Sequence, residues 1–282
     1  MARKRTTDYS KLPKGTAAHW NKAAYLSPRE REILHVGLSR GLGDAARQGI
    51  NTEHVNVRFR LVEPKRTIPA LGVAGFHDFG SIVIDIDKTR IGEPDFSDAV
   101  ARLVTHECNH EGRTQVGQCP KTLGQSLVFE GLALLAEMAA GHSLDPYFGG
   151  IEREQMRLFG TEAKKNLEQV IIGKDNLGFG QWFFGKPRSD GATLPHFGGY
   201  VFGAILVRAY CINRQQKPEK IIDLHPEKVV SAWLSGKLDL EKAFSEIKER
   251  PSEFLQALNR PLRRMRKLDI RTDIRPPKPL PR

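Results

Sequence analysis

Val104-Thr105-His106-Glu107-Cys108-Asn109-His110-Glu111-Gly112 carries the pattern His-Glu-x-x-His. Side chains four positions apart lie on one face of a helix. His106 and His110 therefore aim two imidazoles at one point, the arrangement a zinc ion takes from a rigid scaffold. Glu107 sits about a quarter turn round from His106, where it can act on a water beside the metal without ligating it. With 9 His and 19 Glu in 282 residues, a chance match is expected roughly 0.02 times per chain, which is the false-positive risk of such a motif. The preceding Phe96, Val100, Leu103 and Val104 have helical spacing. Pro94 stops any earlier helix, Asp95 or Ser97 can cap this one, and Gly112 allows it to end just past the second His. Cys108 points away from both imidazoles and reads as a packing residue.

Two ligands need a third. A Gly and a His three and six positions beyond His110 would complete one arrangement, but Arg113 and Val116 stand there. The remaining candidates are Glu111, Glu130, Glu137, His142, His196 and His225. Glu130 stands out because it interrupts the apolar run from Leu127 to Ala136. A carboxylate on an apolar surface is costly unless it is paired or binds a metal. The alternative is that Glu130 faces solvent or pairs with an Arg such as Arg113. Gly131 and Ala133 are small and would let this second helix approach the motif helix closely. Glu137, seven positions on, either accepts the second ring N–H of a ligand His or is a surface carboxylate.

His106-Glu107-x-x-His110 followed by Glu130-Gly131-Leu132-Ala133 resembles the gluzincin clan of zinc metallopeptidases. Gly72-Val73-Ala74-Gly75 leading into Ser81–Asp85, and Trp182–Gly185 followed by Gly199-Tyr200-Val201-Phe202-Gly203, are similar to a bacterial family of largely uncharacterised, predicted zinc-dependent proteases. The likeness runs over about residues 55 to 212 and leaves both ends uncovered. It implies an α+β, zincin-like fold with a small N-terminal sheet, an active-site helix and a mainly helical C-terminal half. It implies that His106, His110 and Glu130 ligate Zn²⁺, that Glu107 is the catalytic base, and that an edge strand pairs with an extended peptide or protein substrate. Tyr200 matches the family's Gly-Tyr element. Tyr200, or alternatively His196, could donate a hydrogen bond to the developing oxyanion; otherwise Tyr200 is a core residue.

Hydrophobic residues make up 39% of the chain and charged residues 27%, and the mean hydropathy is −0.42. This is compatible with a soluble globular protein, and the length allows one large core or two smaller lobes. No uninterrupted apolar stretch is long enough for a membrane span. The basic start Met1–Asp8 has no apolar segment of a secretory signal. Three cysteines, Cys108, Cys119 and Cys211, make no disulfide framework and fit a reducing cytoplasm.

The net charge of +11 sits at the ends. Residues 1–15 carry five basic residues and one acid, residues 258–282 nine and two, and the body between is neutral. The expected division is a basic N-terminal tail (1–26), a metallopeptidase domain (27–267) and a basic Pro-rich tail (268–282). The domain comprises a sheet lobe near 50–94, zinc helices near 95–142 and a helical lobe near 151–267. The tails read as solvated ends; the other reading is contact with nucleic acid, ribosomes or an anionic membrane.

Ser27-Pro28-Arg29-Glu30 opens a helix running to about Gln48, weakened by Gly37, Gly41 and Gly43. Val55–Val62 alternates as a half-buried strand, with Arg58 and Arg60 on the wet face. Residues 68–75 and 81–87 read as two more strands joined through Gly75–Gly80. The His77-Asp78 pair in that loop reads as turn chemistry. A helix is expected over 151–172. Asn176–Gly199 reads as a Gly/aromatic loop, either a substrate-lining lid or a packed Ω-loop. A further helix over 200–212 and short helices from 218 to about Lys267 complete the chain.

Overall fold

The computed structural model describes residues 17–20 and 26–249, except 54, 79–80, 172–176, 190 and 216–223. The C-terminal basic tail, residues 1–16 and the expected helices beyond 249 lie outside the described residues. The fold is α+β, with a small sheet on the N-terminal side and a mainly helical remainder.

Four strands, β1 (Ala17–Trp20), β2 (Asn56–Val62), β3 (Val73–Asp78) and β4 (Ser81–Asp87), form one sheet in the order β1-β2-β4-β3. β1 and β2 run parallel, as do β2 and β4, while β3 is antiparallel to β4. β1 falls inside the stretch read as a tail. Its backbone pairs with β2, so the sheet reaches further towards the N-terminus than the charge pattern suggests. β4 lies between two neighbours and is buried at every position. The buried Asp85 on it takes two charge-assisted hydrogen bonds from Arg60, Nε to Oδ1 at 2.6 Å and the guanidinium NH2 to Oδ2 at 2.8 Å. That fork lets a carboxylate sit inside the sheet.

β3 starts later than 68. Pro69 lacks an amide to pair and Gly72 has φ +68°, so residues up to 72 turn rather than extend. The pairing instead runs through Gly75, Phe76 and His77, which the sequence pattern assigns to a loop.

α1 (Pro28–Arg47) opens on a capping box in which the Glu30 amide donates to Ser27 Oγ and the Ser27 amide donates to Glu30 Oε2. It packs along α2 (Phe96–Gln115). The glycines expected to weaken α1 make this packing close. A Cβ at Gly37 would fall 2.7 Å from the Ser97 carbonyl oxygen, and one at Gly41 2.5 Å from that of Ala101. α2 does not end at Gly112. It continues one turn to Gln115 and stops before Gly117, whose φ of +80° supplies the left-handed residue a helix terminus uses.

α3 (Leu123–Ala139) crosses α2 and packs on its other side against α7 (Gly198–Arg214). α4 (Asp145–Phe148), α5 (Arg153–Lys165), α8 (Pro226–Leu234) and α9 (Leu240–Glu249) complete the helical part. α5 is shorter than expected because Asn166 caps it, its side-chain amide donating to the Glu162 carbonyl at 2.9 Å. Within the expected loop 176–199 lies a helix, α6 (Leu177–Phe184), whose Trp182 and Phe183 are buried.

Two apolar cores result. One lies between the sheet and helices α1 and α2, around Leu38, Phe59, Ile84 and Val100; the other surrounds α3 and α7, around Leu127, Phe159, Phe202 and Trp233. α2 lies against the first core and α3 runs through the second, so the helices carrying the His and Glu motifs meet where the cores adjoin. Among the described residues, no helix is long and apolar enough to cross a membrane.

Candidate metal centre

The helical spacing of His106 and His110 places both rings on the face of α2 that meets α3. The rings stand edge to face with centroids 4.7 Å apart, and their Nε2 atoms are separated by 3.0 Å. Glu130 enters from α3. Its Oε2 is 3.2 Å from His106 Nε2 and 3.1 Å from His110 Nε2. All three residues are buried, and among the described residues they form a group able to hold a metal ion. Arg113, the alternative partner for Glu130, lies instead over the Phe129 ring at 5.4 Å and donates to the Leu224 carbonyl.

Glu137 is fully buried rather than on the surface. Its Oε1 is 2.7 Å from His106 Nδ1 and accepts from the Tyr147 hydroxyl at 3.2 Å. Arg102 Nε lies 2.8 Å from its Oε2 as a buried ion pair. An ionised carboxylate can only accept, so His106 Nδ1 carries the donated proton. A neutral His106 then turns the bare lone pair of Nε2 towards the lone pairs of Glu130. His110 is oriented differently: its ring stacks on Phe129 at 4.3 Å, nearly parallel.

This donor set fits a cation better than it fits protons. Three ligand atoms converge with at most one proton between any pair, and their 3.0–3.2 Å separations match the roughly 3.3 Å spacing of ligand atoms around tetrahedral zinc. Without a cation, burial alone would lower the His106 pKa, but its hydrogen bonds to Glu130 and Glu137 raise it well above the ordinary value. Burial lowers His110. Burial would raise the Glu130 carboxyl, yet the two imidazoles hold it down at about 2. Two imidazoles and a carboxylate suit zinc among the common divalent ions.

Glu107 lies beside this group without joining it. Burial pushes its carboxyl up to about 8, with His106 opposing and the Glu130 and Glu137 charges adding. Among the described residues its Oε2 has no hydrogen-bond partner. Its other oxygen lies against β3, where a Cβ at Gly75 would meet Oε1 at 2.6 Å. A side chain at position 75 would therefore displace the Glu107 and Leu103 side chains.

The half-buried Tyr200 has its ring centroid 6.2 Å from that of His106, with Phe183 edge-on at 5.1 Å and Tyr147 at 5.9 Å. Burial and the nearby Glu130 charge raise its pKa well above the usual phenol value, so it remains a donor. His196 is exposed, and its ring Nδ1 is 3.0 Å from the Phe184 carbonyl oxygen. The structure therefore brings Tyr200, and not His196, to the His106 side. His142 lies away at the end of α3, 3.8 Å from Asp44, and His225 is an exposed residue at the start of α8. Cys108 is buried in the sheet-side core.

Sequence reasoning passed over Arg102 and Tyr147. Arg102 was accessible to it, standing four positions before His106 on the same helical face. Tyr147 reaches Glu137 only through the packing of α4 on α3, for which the sequence carries no local signal.

A family model described as "Predicted Zn-dependent protease (DUF2268)" matches residues 42–231. No curated protein and no solved structure matches the chain.

Proposed function

The chain belongs to this family of predicted zinc-dependent proteases, and from that premise we propose that it hydrolyses peptide bonds at the His106/His110/Glu130 centre. The observation that carries the reading is the convergence of His106 Nε2, His110 Nε2 and Glu130 Oε2 on one point, with Glu107, next to His106 on α2, holding a buried Oε2 that has no hydrogen-bond partner among the described residues. These three residues would hold zinc as gluzincin-type ligands, and bound there it supplies Lewis acidity to a water and to a carbonyl oxygen.

Glu107 takes the proton from the attacking water and delivers it to the leaving amine. Its buried, unpaired oxygen is suited to a group that must gain and lose a proton in one cycle. Glu137, Arg102 and Tyr147 hold His106 in the tautomer whose Nε2 is free to ligate. The Tyr200 phenol donates to the oxyanion as the carbonyl becomes tetrahedral. β3 is a sheet edge, and an extended peptide adds to that edge through backbone hydrogen bonds. Phe183 and Phe184 pack against Tyr200, whose ring lies beside His106. All three cysteines are free, which suits work in a reducing cytoplasm.

The test uses protein stripped with a chelator, then offered zinc, with fluorescently labelled denatured casein as substrate. Cleavage should vanish on stripping and return with zinc in the wild type. In Glu130→Ala it should not return, and bound zinc should be lost with it. Full zinc in that variant would remove Glu130 from the ligand set. Zinc binding by the wild type without cleavage of casein or of a mixed peptide library would overturn the peptidase reading.

A further inference from the structure

His77 reads from sequence as part of a turn, but it lies on β3, the edge strand, two residues beyond Gly75. Alternate strand residues face the same side, so Gly75 and His77 both look towards α2. Glu107 and Glu111 are four apart on α2 and share a face. The two periods match. Gly75 lies over the Glu107 carboxylate, and His77 Nε2 makes a close contact with Glu111 Oε2. The pair is largely buried, with side-chain exposures of 14% and 10%. Glu111 is steadied by Gln115, whose side-chain amide donates to its Oε1 at 2.8 Å. Phe76 between them points the other way, under the Arg60 guanidinium at 4.9 Å.

Among the described residues β3 has a hydrogen-bonded neighbour, β4, on one side only, so on the other side its placement over α2 depends on contacts between strand and helix. Gly75 contributes no side chain to that contact. His77–Glu111 is a polar link across the same interface, one helical turn along from Glu107.

We propose that His77 and Glu111 are a positioning pair: they pin β3 to the active-site helix with Gly75 over Glu107, and so set where an extended peptide chain lies relative to that carboxylate. The first half stands on the geometry; the second rests on the peptidase reading above. His77 donates from Nε2 whether its ring is neutral or charged, so the link needs an N–H donor at that position rather than a titrating group. Neither residue touches the reacting atoms.

The test compares zinc-loaded wild type with His77→Ala, Glu111→Ala, the double variant and His77→Gln, whose amide can still donate. Hydrogen exchange is followed at the β3 amides that bond β4. Each Ala variant should speed their exchange about tenfold, the scale of one hydrogen bond to a charged group. The double variant should be no worse than either single one, His77→Gln should stay near wild type, and zinc content should be unchanged throughout. On denatured casein the Ala variants should raise KM more than they lower kcat, with rescue by His77→Gln. Wild-type protection in His77→Ala, or additive effects in the double variant, would overturn the link. A lowered kcat at unchanged KM would overturn the positioning role. If the wild type binds zinc yet cleaves nothing, the peptidase reading and the substrate half fall, and the exchange data still decide the link.

Discussion

Glu107→Gln is expected to bind zinc at the wild-type level and to lose between about a hundredfold and ten-thousandfold in turnover, the span usual for removal of a general acid–base group. The substitution keeps the shape of the side chain. It also keeps the contact with β3, where Gly75 leaves room for one planar headgroup. It removes the ability to accept and return a proton. Because Glu107 is not one of the three converging donors, zinc content and fold should not change, and cleavage of denatured casein is the quantity that moves. Equal turnover in Glu107→Gln would sink the assigned role. Loss of zinc would instead place Glu107 among the ligands.

Gly203→Ala is expected to be among the most destabilising single-methyl additions in the chain. A Cβ there would lie 2.0 Å from the Leu127 carbonyl oxygen and 2.9 Å from its carbon. The reciprocal Cβ at Gly131 would lie 2.1 Å from the Gly203 carbonyl carbon. These are backbone atoms, so no rotamer change relieves the clash and α3 and α7 must separate. Overpacking typically costs about 1–3 kcal/mol and occasionally more; a backbone clash belongs at or above the top of that range. At about 2–4 °C per kcal/mol for a chain of this size, the melting temperature should fall by roughly 6–12 °C. Since α3 carries Glu130, zinc affinity should fall as well. A melting temperature within about 1 °C of wild type, well inside the shift expected for even one kcal/mol, would show that the helices yield without cost.

The grouping of His106, His110 and Glu130 was largely legible in the sequence because its signals are local. His106 and His110 announce themselves by spacing, and Glu130 by standing as a carboxylate in an apolar run. The same locality explains the errors. Gly131 was read as admitting the motif helix, but Glu130 already faces α2, and the next residue lies about 100° further round. Gly131 therefore meets α7. The glycines of α1 looked like weak points, yet Gly37 and Gly41 lie where α2 comes closest. Gly112 is tolerated inside α2, while Gly117, where the chain needs a positive φ, ends it.

What could not be read was mutual placement. Local periodicity does not say which strand forms the sheet edge, that His77 faces Glu111, or that Tyr147 reaches Glu137. Those contacts depend on how the sheet and the helices pack, and each joins residues from separate elements or successive turns. The α+β class followed from pattern. The strand boundary at 73, the helix within 177–184 and the N-terminal strand at 17–20 were set by backbone pairing and burial.

The most direct measurement is elemental analysis of purified protein offered zinc and then freed of loosely bound metal, with wild type beside His106→Ala. About one zinc per wild-type chain, as a single four-coordinate site requires, and none in His106→Ala, is the predicted result. No metal in the wild type, or equal metal in both, would contradict the centre and the hydrolytic reading built on it.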